Sequence, residues 1–390
     1  MDLLDRLARI RSKPERLALG LMSGMSVDGL DLALVRIRDG ADRPAVELLA
    51  AGTVPYDAAL VAAIRTAADG TTRDVCALSF ALAERWAADV WAFLEEHGVD
   101  AEDVDVLGSH GQTVDHVSAG GPGAQGSTLQ VGDGDVLAER TGILTVSDLR
   151  CRDIAAGGEG APLVPLADWL LFGRDGETVA AQNLGSIGNV TVVTPRLEDV
   201  SAFDTGPANA LVDGLARLAA GMALDLDGSL SARGQVHAPA LKGLHQLSAR
   251  FLEREPPKSA GFDDFGPPLA RRIHESFPDA RPEDLIRTAV EFTASTLADA
   301  YERWVVPAHP ALRRVIVTGG GAANPTMMAA ISERLEPLGL VVEVPEDAWT
   351  SAKEAIAFAL LADRTVRGLP GNVPGATGAS RAVVLGKISL

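Results

Sequence analysis

The sequence predicts an α/β fold made of two related halves. Residues 17–37 form two predicted apolar strands that are joined by the turn SGMSVDG, and Gly, Ser and Asp are typical turn residues. The arrangement returns at 179–194, where TVAAQNL and NVTVVT flank the glycine turn GSIG. Helical patterns lie between the two hairpins. Because strands and helices are mixed throughout and both halves open on the same hairpin, we expect related α/β layers.

Periodicity and turn residues predict the other elements in chain order. Apolar residues at helical spacing, from Val75 to Phe93, indicate a helix over 72–97 that stops at Gly98. VDVLGSHG is a predicted short strand, and 118–127 is a predicted exposed Gly-rich loop. RVIVT is a predicted strand that leads through GGGAANP into a helix from near Met327. A strand at 45–53 and helices at 205–221, 238–252, 284–306 and 352–364 complete the prediction.

Composition and charge narrow the function classes. The chain has 390 residues, of which 47% are hydrophobic and 23% charged, as in a globular protein of two domains. Its formal net charge of −18 disfavours nucleic acid and anionic membranes as partners, since both are bound by clustered Lys and Arg. The charge does not exclude one phosphorylated small ligand, which backbone N–H groups and a metal can hold.

Cysteine usage and the chain start favour a cytoplasmic protein. Cys76 and Cys151 are the two cysteines; they cannot form a four-cysteine metal site, and we expect one buried thiol and one loop thiol. The first 20 residues lack the uninterrupted apolar stretch of a signal peptide. No later run approaches the length of a transmembrane helix.

The first hairpin turn is a candidate phosphate site. Its glycines would let backbone N–H groups approach a ligand, Ser23 and Ser26 could donate to phosphate oxygens, and Asp28 could hold Mg²⁺ or water. A plain hairpin turn explains the same residues equally well. The candidate residues are Ser23, Gly24, Met25, Ser26 and Asp28.

Two further glycine turns strengthen the case for a nucleotide. GSIGN supplies Gly185, Ser186 and Asn189, and GGGAANP supplies Gly319, Gly320, Gly321 and Asn324. The second of these lies between a predicted buried strand and a helix, where a phosphate or adenosine can approach. It is not a P-loop, because the terminal Gly-Lys-Ser/Thr is absent. Three such turns in two halves favour nucleotide binding.

Asp204 in FDTGPANALVD has two interpretations. A carboxylate before a helix can simply cap it. A kinase also needs one carboxylate that accepts the proton of the attacking group. The spacing leaves both roles open, and they are compatible. Gly206 and Asn209 follow in the same motif.

Two polar segments and one helix supply the remaining candidates. His110, Gln112 and Thr113 lie in a predicted Gly-flanked loop and could line a sugar site; a zinc site is disfavoured, because His110 and His116 lack a third ligand. Asp148, Arg150, Arg152 and Asp153 follow the strand ILTV, where Arg can bind a carboxylate and Asp can accept from sugar hydroxyls; a surface ion-pair network is the alternative. Glu354 lies at a helix start, where the dipole stabilises it in any case.

In this order, the motifs resemble the anhydro-N-acetylmuramic acid kinase family, including its relatives that act on levoglucosan. The resemblance covers the chain from about residue 18 to its end, and GGEGAPLVP together with DTGPAN is highly specific. The matching segments are SGMSVDGLDLAL, SHGQTVDH, TLQVGDGDVLAERTGI, DLRCRDIAAGGEGAPLVP, NLGSIGNVT, FDTGPANALVD, VTGGGAANPTMM, AKEAIAFALLA and LPGNVPGATGAS.

The resemblance implies an actin/hexokinase-type (ASKHA) fold with ATP and Mg²⁺ in a cleft between two domains. The expected domains are residues 1–145 plus 366–390 and residues 146–365. It also implies a reaction in which water attacks C1 of 1,6-anhydro-N-acetylmuramic acid while O6 takes the γ-phosphoryl group, which gives N-acetylmuramate 6-phosphate for peptidoglycan recycling. Family members are often homodimers.

The resemblance also implies roles for residues. Asp204 would be the general base on the water, with the ordinary pKa of an Asp. Asp28, Asp204 and Glu354 would lie by the metal, and Asp28 and Glu354 also by the attacking water. The first two glycine turns would face the phosphates, GGGAAN the adenosine, and the 148–153 cluster the sugar, with an Arg for its lactyl carboxylate.

Several positions depart from the family pattern. Met25 replaces Thr, Ser186 and Ala208 replace Gly, Ala260 and Phe262 replace Thr and Arg, and Ser351 stands where an acidic residue is expected. These changes keep two alternatives open beside the muramate kinase. One is a kinase for another anhydro sugar such as levoglucosan, and the other is a nucleotide-binding protein without turnover.

Overall fold

The computed structural model describes residues 3–24, 27–40, 43–117, 126–345 and 347–390. Met25, Ser26 and most of the predicted loop 118–127 lie outside these residues. The backbone of Phe262 and of Ser351 is described, but their side chains are not. Two compact units are present: unit 1 comprises Met1–Leu171 and Ala352–Leu390, and unit 2 comprises Phe172–Ser351.

The extents of the units differ from the predicted domains, 1–145 plus 366–390 and 146–365. Residues 146–171 remain with unit 1, because the strand Thr145–Ser147 pairs with the strands Val106–Val117 and Lys387–Ser389. Residues 352–365 also remain there, because their helix packs on the sheet of unit 1 at Gly20 and Gly108.

Unit 1 contains a seven-stranded mixed sheet in the order β12-β6-β4-β1-β2-β3, with β5 paired to the second half of β4. Its strands are β1 (Glu15–Ser23), β2 (Gly29–Arg38), β3 (Ala45–Pro55), β4 (Val106–Val117), β5 (Ser127–Val131), β6 (Thr145–Ser147) and β12 (Lys387–Ser389). Its helices are α1 (Leu3–Ser12), α2 (Ala58–Thr66), α3 (Thr72–Glu96), α4 (Gly134–Thr141), α5 (Cys151–Ala155), α6 (Val164–Phe172), α14 (Asp347–Val366) and α15 (Pro374–Thr377), of which α6 and α14 run past the unit boundaries.

One face of this sheet packs on α3 and the other approaches α14 closely. The buried side of α3 includes Trp86, which is 0% exposed. On the opposite face, a Cβ atom added at Gly20 would lie 1.8 Å from the carbonyl oxygen of Ala355, and one added at Gly108 would lie 2.1 Å from that of Phe358. Only glycine therefore allows α14 to lie directly on β1 and β4.

Unit 2 contains a five-stranded sheet in the order β11-β10-β7-β8-β9. Its strands are β7 (Val179–Leu184), β8 (Ile187–Val193), β9 (Ser201–Pro207), β10 (Arg314–Thr318) and β11 (Val341–Glu343). Its helices are α7 (Asn209–Ala220), α8 (Ala238–Leu252), α9 (Phe262–Phe265), α10 (Pro267–Ser276), α11 (Pro282–Ala300), α12 (Val306–Ala308) and α13 (Pro325–Leu335), and a π-helical turn, Tyr301–Val305, joins α11 to α12. The core lies between the sheet and α7, α8, α10, α11 and α13.

The two sheets share one topology. In each, three sequential strands form an antiparallel meander, and two later strands add in parallel beside the first strand, in the order 3-2-1-4-5. This duplicated arrangement is the actin/hexokinase-type α/β fold. The predicted fold class and the two related halves are confirmed.

Three local predictions are wrong. Residues 108–116 belong to strand β4 and not to a loop, because β1 and β5 supply pairing partners along their length. Residues 205–207 end strand β9, so the helix begins at Asn209. Cys76 and Cys151 are both exposed, because Cys76 lies on the outer face of α3 and Cys151 at the start of α5.

Membrane insertion of a helix has no support in the described part of the chain. No helix there has both the length and the apolar character that a bilayer crossing requires.

Candidate active site

The structure brings the predicted glycine turns of unit 2 together around Asn209. The backbone N–H of Asn209 donates to the Gly185 carbonyl oxygen at 3.0 Å, and its Nδ2 donates to the Leu184 carbonyl oxygen at 3.1 Å. The Ser186 carbonyl oxygen accepts from Ala208 N at 3.3 Å and from Ala210 N at 3.0 Å. The turn after β7 is thus bound to the N-terminus of α7.

The third glycine turn, GGGAANP, packs against the second, GSIGN, within unit 2. Gly319 has φ of 87°, and an added Cβ would lie 2.5 Å from Asn183 Oδ1. A Cβ on Gly320 would lie 3.4 Å from Asn209 Nδ2. These glycines let backbone approach backbone where β7 and β10 end, so the predicted residues of both turns form one backbone-lined cluster.

Asn324 has a structural role that differs from its predicted place at the adenosine. Its Oδ1 accepts from the N–H groups of Thr326 and Met327 at 3.0 and 3.1 Å, and it thereby caps α13. Its Nδ2 donates to Asp225 Oδ2 at 3.3 Å. Because the side chain is only 6% exposed and both its oxygen and its nitrogen are hydrogen-bonded, it stabilises the conformation of the turn.

Asp204 lies near the end of β9, directly across from Asn189 on β8. Its backbone N–H donates to the Lys258 carbonyl oxygen at 2.9 Å, and its Oδ2 accepts from Ala260 N at 2.7 Å. Oδ1 receives no hydrogen bond from the described residues. The side chain caps no helix, since α7 begins at Asn209 and its cap makes no side-chain bond. One carboxylate oxygen is therefore held and the other remains available.

Burial raises the pKa of Asp204 to about 6, although the Ala260 N–H and the charges of Lys258 and Arg254 act in the opposite direction. The expectation of an ordinary Asp pKa is therefore corrected. A carboxylate with this pKa is ionised at neutral pH and is a stronger proton acceptor than a solvated Asp.

Lys258 is a residue that the sequence analysis did not select, although it lies two residues before Ala260, where the chain departs from the family pattern. It is 4% exposed, and its Nζ donates to the Leu252 carbonyl oxygen at 3.3 Å and lies 4.8 Å from the Phe251 ring centre. These contacts fix the backbone of Lys258, whose carbonyl oxygen accepts the hydrogen bond from Asp204 N. Its position beside Ala260 is the feature of the sequence that could have indicated its role.

In unit 1, the predicted residues Ser23 and Gln112 bond each other. Ser23 Oγ donates to Gln112 Oε1 at 2.5 Å and lies 2.7 Å from the Tyr56 hydroxyl, which accepts from Trp86 Nε1 at 2.9 Å. Ser23 is 1% exposed, so its hydroxyl braces the first hairpin from within and is not presented to a phosphate. Gln112 Nε2 also donates to the Gly24 carbonyl oxygen at 3.4 Å. No motif in the sequence indicates that Tyr56 and Trp86 contribute to this part of the structure.

His110 and Arg150 form a second cluster in unit 1. His110 Nδ1 lies 2.7 Å from the Gly111 carbonyl oxygen, which makes Nδ1 the donor, so that Nε2 accepts from Arg150 Nη2 at 2.8 Å. Burial lowers the pKa of His110 to about 3, and the Arg150 charge lowers it further. Burial also lowers the pKa of Arg150 to about 10, which leaves it cationic at neutral pH.

Glu354 lies in α14 within electrostatic reach of Arg150. Burial raises its pKa, while Lys353 and Arg150 lower it and Asp31 and Asp168 raise it. The adjacent Lys353 pairs with Asp168 at 3.1 Å, and both are almost fully buried. Phe358 lies one helical turn after Glu354, and its ring centre is 4.7 Å from that of His110. The structure thus gathers His110, Arg150 and Glu354, which the sequence places far apart.

Other predicted residues lie elsewhere in unit 1. Asp28 is exposed directly before β2, in the connection from β1, and its carbonyl oxygen accepts from Tyr56 N at 3.1 Å. Thr113 Oγ1 accepts from Gln130 Nε2 at 3.2 Å. Asp148 accepts from Lys387 Nζ at 2.5 Å and lines a pocket of about 620 Å³ together with His110.

The sequence predicts Asp153 at the sugar, but the structure places its side chain in the interior of unit 1. It is 0% exposed. Its Oδ1 accepts from Asn372 Nδ2 at 2.6 Å and from Thr377 Oγ1 at 2.8 Å, and its Oδ2 accepts from Gly160 N at 2.8 Å. It ties the glycine loop after α5 to the C-terminal segment. Arg150 depends on that loop, because its Nη1 donates to the Gly160 carbonyl oxygen at 2.7 Å.

Replacement of Asp153 by Asn is expected to destabilise unit 1 by about 2–3 kcal/mol, because an amide nitrogen would face one of the three donors and leave it unsatisfied. Urea unfolding measures this loss. Asp115→Asn, at an exposed position of β4, is the matched control and should change the free energy of unfolding by less than about 0.5 kcal/mol. Equal stability of the two variants would contradict the anchoring role.

Comparison with known proteins assigns the family. The model of the family described as anhydro-N-acetylmuramic acid kinase matches residues 16–390.

The chain belongs to the anhydro-N-acetylmuramic acid kinase family.

Proteins named anhydro-N-acetylmuramic acid kinase are similar over nearly their whole length. The one from Caldanaerobacter subterraneus subsp. tengcongensis is 40% identical over 99% of this chain and 100% of its own. The one from Gloeobacter violaceus is 41% identical over 95% and 98%, and one from Bacillus cereus is 36% identical over 95% and 98%. Among solved structures, Acidaminococcus fermentans (R)-2-hydroxyglutaryl-CoA dehydratase component A has a TM-score of 0.46 at 15% identity, covering 90% of this chain and 99% of that one. The fold assignment rests on the strand topology instead.

The described residues contain no group of three or more His, Cys, Asp or Glu side chains arranged to hold a metal ion by themselves. Mg²⁺ at nucleotide sites rarely needs one, since it binds through one or two carboxylates, phosphates and water. The available Oδ1 of Asp204, beside the glycine cluster, fits this kind of site.

Proposed function

We propose that the protein is an ATP-dependent kinase that opens 1,6-anhydro-N-acetylmuramic acid with water and phosphorylates its O6. The observation that carries the proposal is the placement of Asp204, a half-buried carboxylate with a pKa of about 6, next to the clustered glycine turns of a fold shared with sugar kinases. Family membership over residues 16–390 supports the substrate.

Asp204 acts as the general base. Its Oδ1 takes a proton from water, the water oxygen attacks C1, the C1–O6 bond breaks, and O6 forms a bond to the γ-phosphorus while the bond to ADP breaks. The products are N-acetylmuramate 6-phosphate and ADP. The hydrogen bond from Ala260 N to Oδ2 orients the carboxylate, so that little reorganisation precedes proton transfer.

The glycine cluster of unit 2 holds the nucleotide. Backbone N–H groups at Gly185–Ser186 and Gly319–Gly321 can approach phosphate and adenosine without side-chain obstruction, and Asn209 fixes the two turns relative to each other. Mg²⁺, with Asp204 as its candidate carboxylate neighbour in unit 2, would offset charge on the phosphates.

The Arg150 cluster of unit 1 recognises the sugar. Arg150 has five N–H donors, of which three are used toward His110 and Gly160. One N–H on each terminal nitrogen remains, which matches the two oxygens of a lactyl carboxylate. Neutral His110 holds the guanidinium without competing for the anion. In addition, we expect a cytoplasmic protein, a homodimer by analogy with the family, and no nucleic-acid or membrane partner.

The departures from the family pattern do not favour the alternatives. At Ala260, the contact with Asp204 comes from the backbone N–H, so the loss of the Thr hydroxyl leaves it in place. Ala208 likewise bonds the Ser186 carbonyl oxygen through its backbone. Asp28, Asp204 and Glu354 are all retained.

The test is ADP release by the purified protein with Mg-ATP and a panel of sugars. Turnover that requires 1,6-anhydro-N-acetylmuramic acid, with N-acetylmuramate 6-phosphate as product, supports the proposal. A preference for levoglucosan or a plain sugar would assign a different substrate. ATP binding without turnover on any sugar would leave a binding protein and refute the kinase.

The pH dependence of kcat/KM should report Asp204. Because the base acts only when deprotonated, activity is expected to rise with pH, fall about tenfold per unit below pH 6, and level off above it. His110 cannot produce this limb, since its pKa is lowered to about 3. Rates measured from pH 4.5 to 8, with enzyme stability checked at each pH, show where the activity falls. A limb near pH 4 would contradict the raised pKa.

A further inference from the structure

Gln182 on β7 places a polar side chain in the apolar core of unit 2. It is 0% exposed, and the residues paired with it, Val190 on β8 and Val317 on β10, are 0% exposed core residues. The Oε1 atom of Gln182 has no hydrogen-bond partner among the described residues. Because an unpaired buried amide oxygen costs free energy, an apolar side chain of this size would suit the core better. The stability of the fold therefore does not explain the glutamine.

The amide nitrogen of Gln182 connects the strand before the GSIGN turn with the strand that carries Asp204. Its Nε2 donates to the Asn183 carbonyl oxygen at 3.1 Å and to Thr205 Oγ1 at 3.2 Å. Thr205 follows Asp204 directly and is 2% exposed. Strand β8 lies between β7 and β9 in the sheet. The hydrogen bond to Thr205 therefore spans β8 and links two strands that are not neighbours.

Thr205 is the extra residue of a β-bulge. Gly188 on β8 pairs with Gly206 on β9, and Asn189 pairs with Asp204, so β9 has one residue more than β8 between these pairs. A bulge bends its strand and changes the direction of the side chains beside it, and bulges are common next to active sites. The direction of the Asp204 carboxylate therefore depends on how Thr205 is held.

Close packing keeps the Thr205 hydroxyl in place. A Cβ atom added at Gly188 would lie 3.0 Å from Thr205 Oγ1, and one added at Gly206 would lie 2.6 Å from Thr296 Oγ1 on α11. Gly206 also has a φ of 148°, a conformation that favours glycine. These two glycines let β8 and α11 approach the bulge closely, so the hydroxyl stays within reach of Gln182.

We propose that Gln182 is a positioning residue, which fixes the Asp204 carboxylate relative to the GSIGN turn through its hydrogen bond to Thr205. Its effect on rate rests on the proposed function, in which Asp204 is the base and this turn holds the nucleotide. A base must lie within hydrogen-bond reach of the proton that it takes, and a displacement of about 1 Å can cost about 10²-fold in rate. Gln182 touches no reacting atom and acts through Thr205.

The double variant Gln182→Met/Thr205→Val tests the proposal in steady-state kinetics with Mg-ATP and 1,6-anhydro-N-acetylmuramic acid. We expect kcat to fall by about 10–100-fold, while KM for each substrate stays within about threefold. The urea midpoint should be unchanged or higher, because the variant removes both polar partners together with the unpaired Oε1. A residue that only supports the fold would not lower kcat while stability is kept.

Two single variants are the controls. Thr205→Ser keeps the hydroxyl and should retain kcat within about threefold. Thr293→Val removes another buried hydroxyl of unit 2, on α11, which is 1% exposed and has no hydrogen-bond partner among the described residues; it should leave kcat within about twofold. The proposal is overturned if the double variant keeps kcat within about twofold of wild type, if Thr205→Ser loses as much activity as the double variant, or if kcat and stability fall together.

Crystal structures of the wild type and the double variant separate this proposal from the proposed function. If the wild type turns over no sugar, the proposed kinase activity is refuted, and the position of Asp204 still decides the role of Gln182. A carboxylate displaced by more than about 0.5 Å in the double variant supports the positioning role. A carboxylate in the wild-type position overturns it.

Discussion

Asp204→Asn is expected to lower kcat by about 10²–10⁴-fold while Mg-ADP still binds. The amide oxygen can still accept from Ala260 N, so the local structure is kept, but the side chain can no longer take a proton from water. Steady-state ADP release gives kcat, and calorimetry with Mg-ADP measures nucleotide affinity. A loss in kcat without a matching loss in affinity is the signature of a base.

Asp264→Asn is the control for this substitution. Asp264 raises the pKa of Asp204 through its charge but does not contact it, so its neutralisation should leave kcat above pH 7 within about twofold and move the acid limb to slightly lower pH. If Asp204→Asn retained more than about a tenth of wild-type kcat, another group would have to be the base.

Gly20→Ala is expected to destabilise unit 1 by about 3 kcal/mol or more, at the upper end of overpacking effects. The new Cβ would lie 1.8 Å from the Ala355 carbonyl oxygen and 2.8 Å from Ala359 N, and backbone atoms of a buried helix cannot simply rotate away. Helix α14 would have to shift from β1. Because α14 carries Glu354, kcat should fall as well. Urea unfolding and ADP release measure the two effects.

Gly52→Ala distinguishes this clash from a general effect of losing a glycine. Gly52 lies in β3 of the same sheet, and its added Cβ would meet only the Phe93 ring, at 3.7 Å. That is an ordinary contact, so the change should be neutral or slightly stabilising through the unfolded chain. A stability difference below about 0.5 kcal/mol between the two variants would refute the close approach of α14.

Much of the fold was predictable because local patterns agree with it. The hairpins at 17–37 and 179–194 are read from apolar runs around Gly-rich turns, and α3 is read from its periodicity. The second half of strand β4, at 112–116, was missed, since polar residues there resemble a loop until the partners β1 and β5 are known. The start of α7 was placed too early for the same reason, because pairing with β8 keeps 205–207 extended.

The candidate site was predictable in its residue types but not in their roles. Asp204, Arg150 and Glu354 could be selected from motifs, whereas Ser23 and Asp153 have the same polar character and prove to be internal braces. A motif identifies a residue without saying which way its side chain is directed. Lys258 and Tyr56 show the converse, since each supports the site through contacts with residues distant in sequence.

The sequence by itself determined the α/β class, the duplicated hairpin, the glycine turns and the family, because all of these are encoded in short runs of residues. Only the tertiary structure decided the protonation of the site. The raised pKa of Asp204, the neutrality of His110 and the charge kept by Arg150 arise from burial and from neighbours contributed by distant segments. Desolvation and Coulomb interactions depend on distances in space, and those distances exist only once the chain has folded.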